Sequence, residues 1–159
     1  MTNPMTTDAI ERDIDIDAPI EVVWRTITEP DLIRTWFSDV AEIEARPGAV
    51  GSLTFRAASD DPFVVGITVV DAEPPHRFSY RWVYPPGEHA TETNSTLVTF
   101  TLTAAGAERT KLSVVESGLE RMEMTDEDRQ KFAEEHRHGW LVQGDRLRAL
   151  FVAGSASPP

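Results

Sequence analysis

The sequence predicts an α+β domain with its helices on one face of an antiparallel sheet, and three observations carry this prediction. Short segments with period-two alternation follow one another from residue 39 to residue 117, separated by turn residues. Two short amphipathic patterns begin at prolines behind a first strand. A much longer helical pattern fills the end of the chain. Strands and helices segregated in this way are typical of an α+β fold.

The first strand and the two short helices come at the start of the chain. Ile14 and Ile16 alternate with acidic residues in the segment 10–17, which predicts a half-buried strand. Pro19 and Pro30 each open a short helix, because proline fits the first helical position. The apolar positions of these helices are Ile20, Val23, Trp24 and Ile27, then Leu32, Ile33, Trp36 and Phe37.

Six further strands are predicted in the middle of the chain. Most end at a cluster of proline, glycine, aspartate or serine residues. Short spacings favour antiparallel hairpins, because parallel pairs need long crossovers. The predicted strands are 40–45, 51–57, 63–72, 77–84, 95–103 and 109–117.

The last element is predicted to be one long helix. Thr125, with Asp128 three residues later, marks its start, and the pattern runs to about Val152. At 1.5 Å per residue this helix is roughly 40 Å long. Its inward stripe is predicted to contain Phe132, His136, Trp140, Gln143, Leu147, Leu150 and Phe151.

Composition narrows the possible partners and locations. The 159 residues include 27 acidic and 15 basic side chains, a net charge of −12, which argues against a nucleic-acid partner. The chain has no cysteine, no apolar run long enough for a membrane span and no export signal, so we expect a cytoplasmic protein. We expect one domain at 10–153, with frayed tails at 1–9 and 154–159.

Several segments of the sequence resemble those of the SRPBCC superfamily of START-like, helix-grip proteins. Within it, the chain is most similar to the bacterial family homologous to the C-terminal domain of the heat-shock-protein-90 ATPase activator. This resemblance implies a curved antiparallel sheet of about seven strands wrapped around the C-terminal helix, with two short helices closing one end. The matching phrases are 16–24 (IDAPIEVVW), 28–37 (TEPDLIRTWF), 73–82 (EPPHRFSYRW), 95–102 (STLVTFTL), and Gly139-Trp140 with Leu147.

The resemblance also implies an apolar cavity between the sheet and the helix. Strand parity puts large aromatic side chains on the concave face, where they either line an open cavity or fill the space. If the cavity is open, it binds a small hydrophobic or amphipathic ligand. The candidate ligand-binding residues are Trp36, Phe37, Phe55, Trp82, Tyr84, Phe100, Glu116, His136 and Trp140.

Glu116 and His136 are the candidate polar groups of this cavity. Alternation along the predicted strand points Glu116 inward. There it either binds a polar group of a ligand or acts as a general base; alternatively, it reaches solvent at the strand end. Its place at the strand end favours the exposed alternative. His136 either contacts a ligand, pairs with an inward carboxylate such as Glu116, or is a structural histidine, which is the commoner outcome.

The sequence disfavours a metal site. His136 and His138 point to different faces of a helix, and Glu134 with His138 supplies only two ligands. We therefore expect no metal and no cofactor. Arg56 is predicted to point outward from its strand. The loop 85–94 is longer than a hairpin needs, and it either covers one end of the groove or is a disordered tip.

Three functions remain open at this stage. The first is binding of a small hydrophobic ligand. The second, suggested by the family name, is a chaperone-related interaction protein. The third is a cavity enzyme of hydrolase or cyclase type that uses Glu116 and His136. A homodimer is possible with each of them.

Overall fold

The computed structural model describes residues 9–83 and 88–152. In this part of the chain, seven strands form one sheet and three α-helices accompany it. A 3₁₀ turn at Leu119–Arg121 precedes the last helix. The helices are α1 (Ile20–Thr28), α2 (Pro30–Ile33) and α3 (Asp126–Ala149). The strands are β1 (Ile10–Ile16), β2 (Val40–Glu42), β3 (Val50–Phe55), β4 (Phe63–Glu73), β5 (Arg77–Val83), β6 (Ser95–Ala104) and β7 (Thr110–Ser117).

The sheet is antiparallel throughout, in the order β1-β7-β6-β5-β4-β3-β2. Five hairpins join β2 to β7 in sequence, and β1 pairs with β7 to complete the sheet. This arrangement confirms the predicted helix-grip α+β fold. It also places β7 between two neighbours, so that Glu116 faces Ile10 on one side and Val98 on the other.

Helix α3 packs across the concave face of the sheet. Its start agrees with the prediction, because the Thr125 side chain accepts a hydrogen bond from the backbone N–H of Asp128 at 3.1 Å. Trp140 and Leu147 on its inner face are buried. The helix ends at Ala149, before the predicted Val152, because the backbone continues in tighter i to i−3 turns.

Strand β2 is shorter than predicted. The predicted strand 40–45 ends at Glu42, because the chain then turns and the backbone N–H of Gly48 donates to the Val69 carbonyl of β4 at 2.8 Å. Gly48 has φ of 88°, a conformation that glycine adopts without strain.

Some sequence predictions concern residues that lie outside the described ranges. The predicted tails 1–9 and 154–159 lie outside them except for residue 9, and so does Tyr84 at the end of the predicted strand 77–84. Within the described ranges, no helix combines the length and the apolar composition needed to cross a bilayer.

Candidate functional site

An open groove of about 270 Å³ lies between the sheet and helix α3. Its walls are mostly carbon, because aromatic rings from the sheet face the helix across it. We call this space the groove. It is lined by Phe37 beyond α2, by Phe55, Arg56, Phe63 and Trp82 from the sheet, and by Glu135, His136, Gly139, Trp140 and Gln143 from α3.

Local sequence periodicity creates both walls of the groove. On the sheet, Phe55 lies directly opposite Phe63 in the β3–β4 ladder, and the Phe55 ring centroid is 5.8 Å from that of Trp82. On α3, spacings of three and four residues bring the lining side chains to one face. Gly139 leaves the groove open, because a Cβ atom built there would meet no atom within 4 Å.

Aromatic stacking closes the inner end of the groove. The rings of Phe37 and Trp140 are stacked with centroids 5.4 Å apart, and Phe100 meets Trp140 edge-on at 5.9 Å. Behind them is an apolar void of only about 10 Å³. The sequence left open whether the aromatic side chains line a cavity or fill it. They fill the inner part of the space and line the outer part.

Glu116 is buried beneath the groove, so the expectation that it reaches solvent is wrong. It is 2% exposed, because α3 lies over the end of β7. Its carboxylate accepts hydrogen bonds from Thr96 Oγ1 at 2.6 Å and from the indole Nε1 of Trp140 at 2.9 Å. Nδ1 of His136 lies 2.8 and 2.9 Å from the two carboxylate oxygens.

These contacts set the charge state of Glu116. Burial acts to raise the pKa of the Glu116 carboxyl, but the hydrogen bond from His136, the charge that His136 carries when it is protonated, and the hydrogen bonds from Thr96 and Trp140 lower the pKa below its ordinary value. The carboxylate is therefore ionised at neutral pH. Tyr80 lies nearby, and burial together with the Glu116 charge raises the pKa of its hydroxyl well above the usual range.

His136 connects this buried carboxylate to the groove. Its ring stacks on Phe132 with centroids 3.8 Å apart and meets the Trp82 ring edge-on at 5.5 Å. Nδ1 faces Glu116, so the opposite edge of the ring, which carries Nε2, points away from the carboxylate. The side chain is 18% exposed, and the pairing with Glu116 is one of the alternatives that the sequence left open.

The nine candidate residues do not all reach the groove. Trp36 and Phe100 line the inner void instead, and the indole N–H of Trp36 donates to the Thr26 carbonyl at 3.0 Å. Glu116 lies beneath the groove, and Tyr84 is outside the described residues. The candidates that line the groove are Phe37, Phe55, Trp82, His136 and Trp140.

Five lining residues were not among the candidates. Phe63 alternates with Val65, Ile67 and Val69 on one face of its predicted strand, and Gln143 belongs to the predicted inward stripe of α3, so the sequence already carried a signal for both. Arg56 was expected to point outward, but β3 ends at Phe55 and Arg56 has a positive φ of 55°. That turn brings its guanidinium 5.8 Å from the ring centroid of Phe63. The other two are Glu135 and Gly139.

The polar groups around the groove form no recognisable metal centre. In residues 9–83 and 88–152, no three His, Asp or Glu side chains come together in a way that could hold a metal ion. The arrangement instead combines an aromatic box, a histidine and a buried carboxylate. It can enclose an apolar ring and offer that ring one polar partner.

Comparison with solved structures places the fold. The chain is similar to protein MLL2253 from Mesorhizobium loti, with 23% identity, a TM-score of 0.72, and coverage of 90% of this chain and 96% of that one. The Aha1 dimer from Colwellia psychrerythraea gives 18% identity, a TM-score of 0.72, and coverage of 92% and 98%. DynU16, a protein in the dynemicin biosynthetic locus, gives 25% identity and a TM-score of 0.69, with coverage of 92% of this chain and 48% of DynU16.

The family follows from a match over most of the chain. No curated protein matches the sequence. The family model described as activator of Hsp90 ATPase homolog 1-like protein matches residues 17–152, which include α1, α3 and all strands but the first. The chain belongs to this family of activator of Hsp90 ATPase homolog 1-like proteins.

Proposed function

We propose that this protein binds a small hydrophobic or amphipathic molecule in the groove. The observation that carries the proposal is the open space of about 270 Å³, walled by the rings of Phe37, Phe55, Phe63, Trp82 and Trp140. A monomeric protein gains stability by closing such a space with side chains. Here Gly139 leaves the space open on the helix side, which favours an external occupant.

The volume sets the size of the ligand. An apolar cavity of roughly 150 Å³ is enough to hold benzene, so the groove has room for one or two rings. Trp36 and Phe100 act from behind, by holding Phe37 and Trp140 in place. Of the candidate residues, Phe37, Phe55, Trp82, His136 and Trp140 would contact the ligand directly.

The relatives accord with this proposal. DynU16 belongs to a biosynthetic locus, and a domain that holds a small molecule suits such a setting. The relative from Colwellia psychrerythraea is a dimer, so we include a homodimer in the proposal. The single domain at 10–153 and the cytoplasmic location stay predictions from the sequence.

Filling the groove tests the proposal. In Gly139→Leu the new side chain occupies the space between α3 and the sheet, and we expect binding of aromatic probes such as naphthalene to fall at least tenfold. His138→Leu is the matched control, because it adds the same side chain at an exposed neighbouring position outside the groove lining. Binding is measured by quenching of tryptophan fluorescence and by native mass spectrometry.

Two outcomes separate the alternatives. If Gly139→Leu folds and binds the probe as tightly as the wild type, the groove is not the binding site. If wild type binds no aromatic probe and purifies without any bound molecule, the proposal fails.

A further inference from the structure

The hydrogen bonds of Glu116 fix which nitrogen of His136 carries a hydrogen. An ionised carboxylate can only accept, so each of its three neighbours must donate to it. Nδ1 of His136 therefore carries a hydrogen and donates it across 2.8 Å. In the neutral ring, Nε2 is then left with a lone pair and acts as an acceptor.

Nε2 of His136 is a polar atom of the groove that has no hydrogen-bond partner among the described residues. Two other polar side chains of the groove are already engaged: Arg56 Nε donates to the Asp61 carbonyl at 3.2 Å, and Gln143 Oε1 accepts from Arg146 at 3.3 Å. The third, Glu135, is exposed to solvent. A bound ligand that covers Nε2 without a polar group would leave it unpaired, which weakens binding.

We propose that the ligand of the groove is a phenol, a planar aromatic molecule with an acidic hydroxyl, and that the phenol shares its proton with Nε2 of His136. This inference rests on the proposed function and names its ligand class. The proton leaves the hydroxyl oxygen and joins Nε2, while the electron pair of the O–H bond stays on oxygen. No other bond changes, and release of the ligand reverses the transfer.

The charges around His136 favour this transfer. The imidazolium that forms lies between two anions, the phenolate and the Glu116 carboxylate from β7, and the carboxylate is buried, so its attraction is only weakly screened by water. On the facing elements, Tyr80 of β5 is neutral, and Arg56 beyond β3 adds positive charge at the groove. Glu135 of α3 is the opposing charge, and it is exposed to solvent.

The same charges disfavour other ligand classes. A permanent anion such as a carboxylate would approach a protein of net charge −12 and meet Glu135 and Glu116 at the site. A phenol arrives neutral and becomes an anion only after it contacts His136. An aliphatic alcohol fits the aromatic walls less well and gives up its proton far less readily.

Paired probes test the inference. Para-nitrophenol and para-nitroanisole have the same ring, but the anisole has a methyl group on the oxygen and no proton to share. At a pH where free para-nitrophenol is largely neutral, we expect the bound form to show the visible absorbance of the phenolate. We also expect it to bind at least tenfold more tightly than the anisole, measured by tryptophan quenching.

Variants locate the proton acceptor. His136→Gln keeps a polar side chain but removes the basic nitrogen, so the phenolate absorbance should disappear and the two probes should bind with equal affinity. Glu116→Gln keeps the size of the side chain and should reduce the phenolate fraction. Circular dichroism checks folding, and if Glu116→Gln does not fold, His136→Gln alone decides.

The outcomes distinguish this inference from the proposed function. If both probes bind equally to wild type and no phenolate forms, the phenol inference is wrong and the groove still binds aromatic molecules. If His136→Gln keeps the phenolate absorbance, the inference is wrong as well. If neither probe binds, both the inference and the proposed function fall.

Discussion

Glu116 organises one wall of the groove, because a single carboxylate accepts hydrogen bonds from three side chains on two elements. Thr96 comes from β6, and His136 and Trp140 come from consecutive turns of α3. A buried carboxylate without partners costs several kcal/mol, and these three donors offset that cost. The carboxylate also fixes the ring orientation of His136 and Trp140, and these two helix side chains contact the aromatic rings on the other side of the groove.

Tyr80, unlike Glu116, has a buried polar group, its hydroxyl, that has no hydrogen-bond partner among the described residues. Because an unsatisfied buried hydroxyl is destabilising, Tyr80→Phe should raise the free energy of unfolding by about 1 kcal/mol. Urea denaturation of both proteins measures the change. A loss of 1 kcal/mol or more would mean that the hydroxyl does have a partner, such as a buried water molecule.

At the scale of elements, the two glycines of α3 separate the open side of the helix from its packed side. Gly139 faces the groove, where a Cβ atom would meet nothing. Gly144 lies against β1, where a Cβ atom would come within 2.9 Å of Ile14 Cδ1 and 3.3 Å of the Arg12 guanidinium. That close approach lets Arg12 donate to the Leu141 carbonyl and to Asp145, both at 2.8 Å, and so join β1 to α3.

The two sites should respond differently to the same substitution. Gly139→Ala should stabilise the protein by up to about 1 kcal/mol, because alanine favours the helix and nothing opposes its methyl group. Gly144→Ala carries the same helical gain, but its methyl group crowds Ile14 in the core, which costs about 1–3 kcal/mol. We therefore expect Gly144→Ala to be the less stable variant by thermal and urea denaturation. Equal stabilisation of both variants would contradict the close packing at Gly144.

The elements and the faces of their side chains could be predicted from the sequence, whereas the burial of a side chain by another element could not. Period-two alternation was enough to put Trp82 and Phe55 on the concave face, and Thr125 marked the start of α3. Whether Glu116 is exposed or buried depends instead on where α3 crosses β7, and no local sequence pattern predicts that crossing. The position of Arg56 beside the groove likewise comes from one left-handed backbone conformation that arginine seldom adopts.

At the scale of the whole molecule, the net charge of −12 is distributed unevenly. Most acidic side chains are exposed, and among the carboxylates of the described residues only that of Glu116 belongs to a buried residue. The exposed acids repel one another and are screened by salt, so each contributes little to folding. The contribution of Glu116 is screened much less, because it lies inside the protein with its donors.

The pH dependence of stability should therefore contain a distinct part due to Glu116. Its pKa is lower in the folded protein than the value of about 4.3 expected for an unfolded chain, so the unfolded state binds more protons as the pH falls. The stabilisation is complete above that unfolded value, and it is lost as the pH falls through the folded pKa. Glu116→Gln should lower the free energy of unfolding by about 1–3 kcal/mol at neutral pH, and the difference from wild type should shrink below about pH 4.

Urea denaturation at a series of pH values measures both curves. Glu108→Gln, which removes an exposed carboxylate and the same charge, is the control and should follow the wild-type curve. Curves for wild type and Glu116→Gln that stay parallel down to acidic pH would mean that the ionised carboxylate does not stabilise the fold.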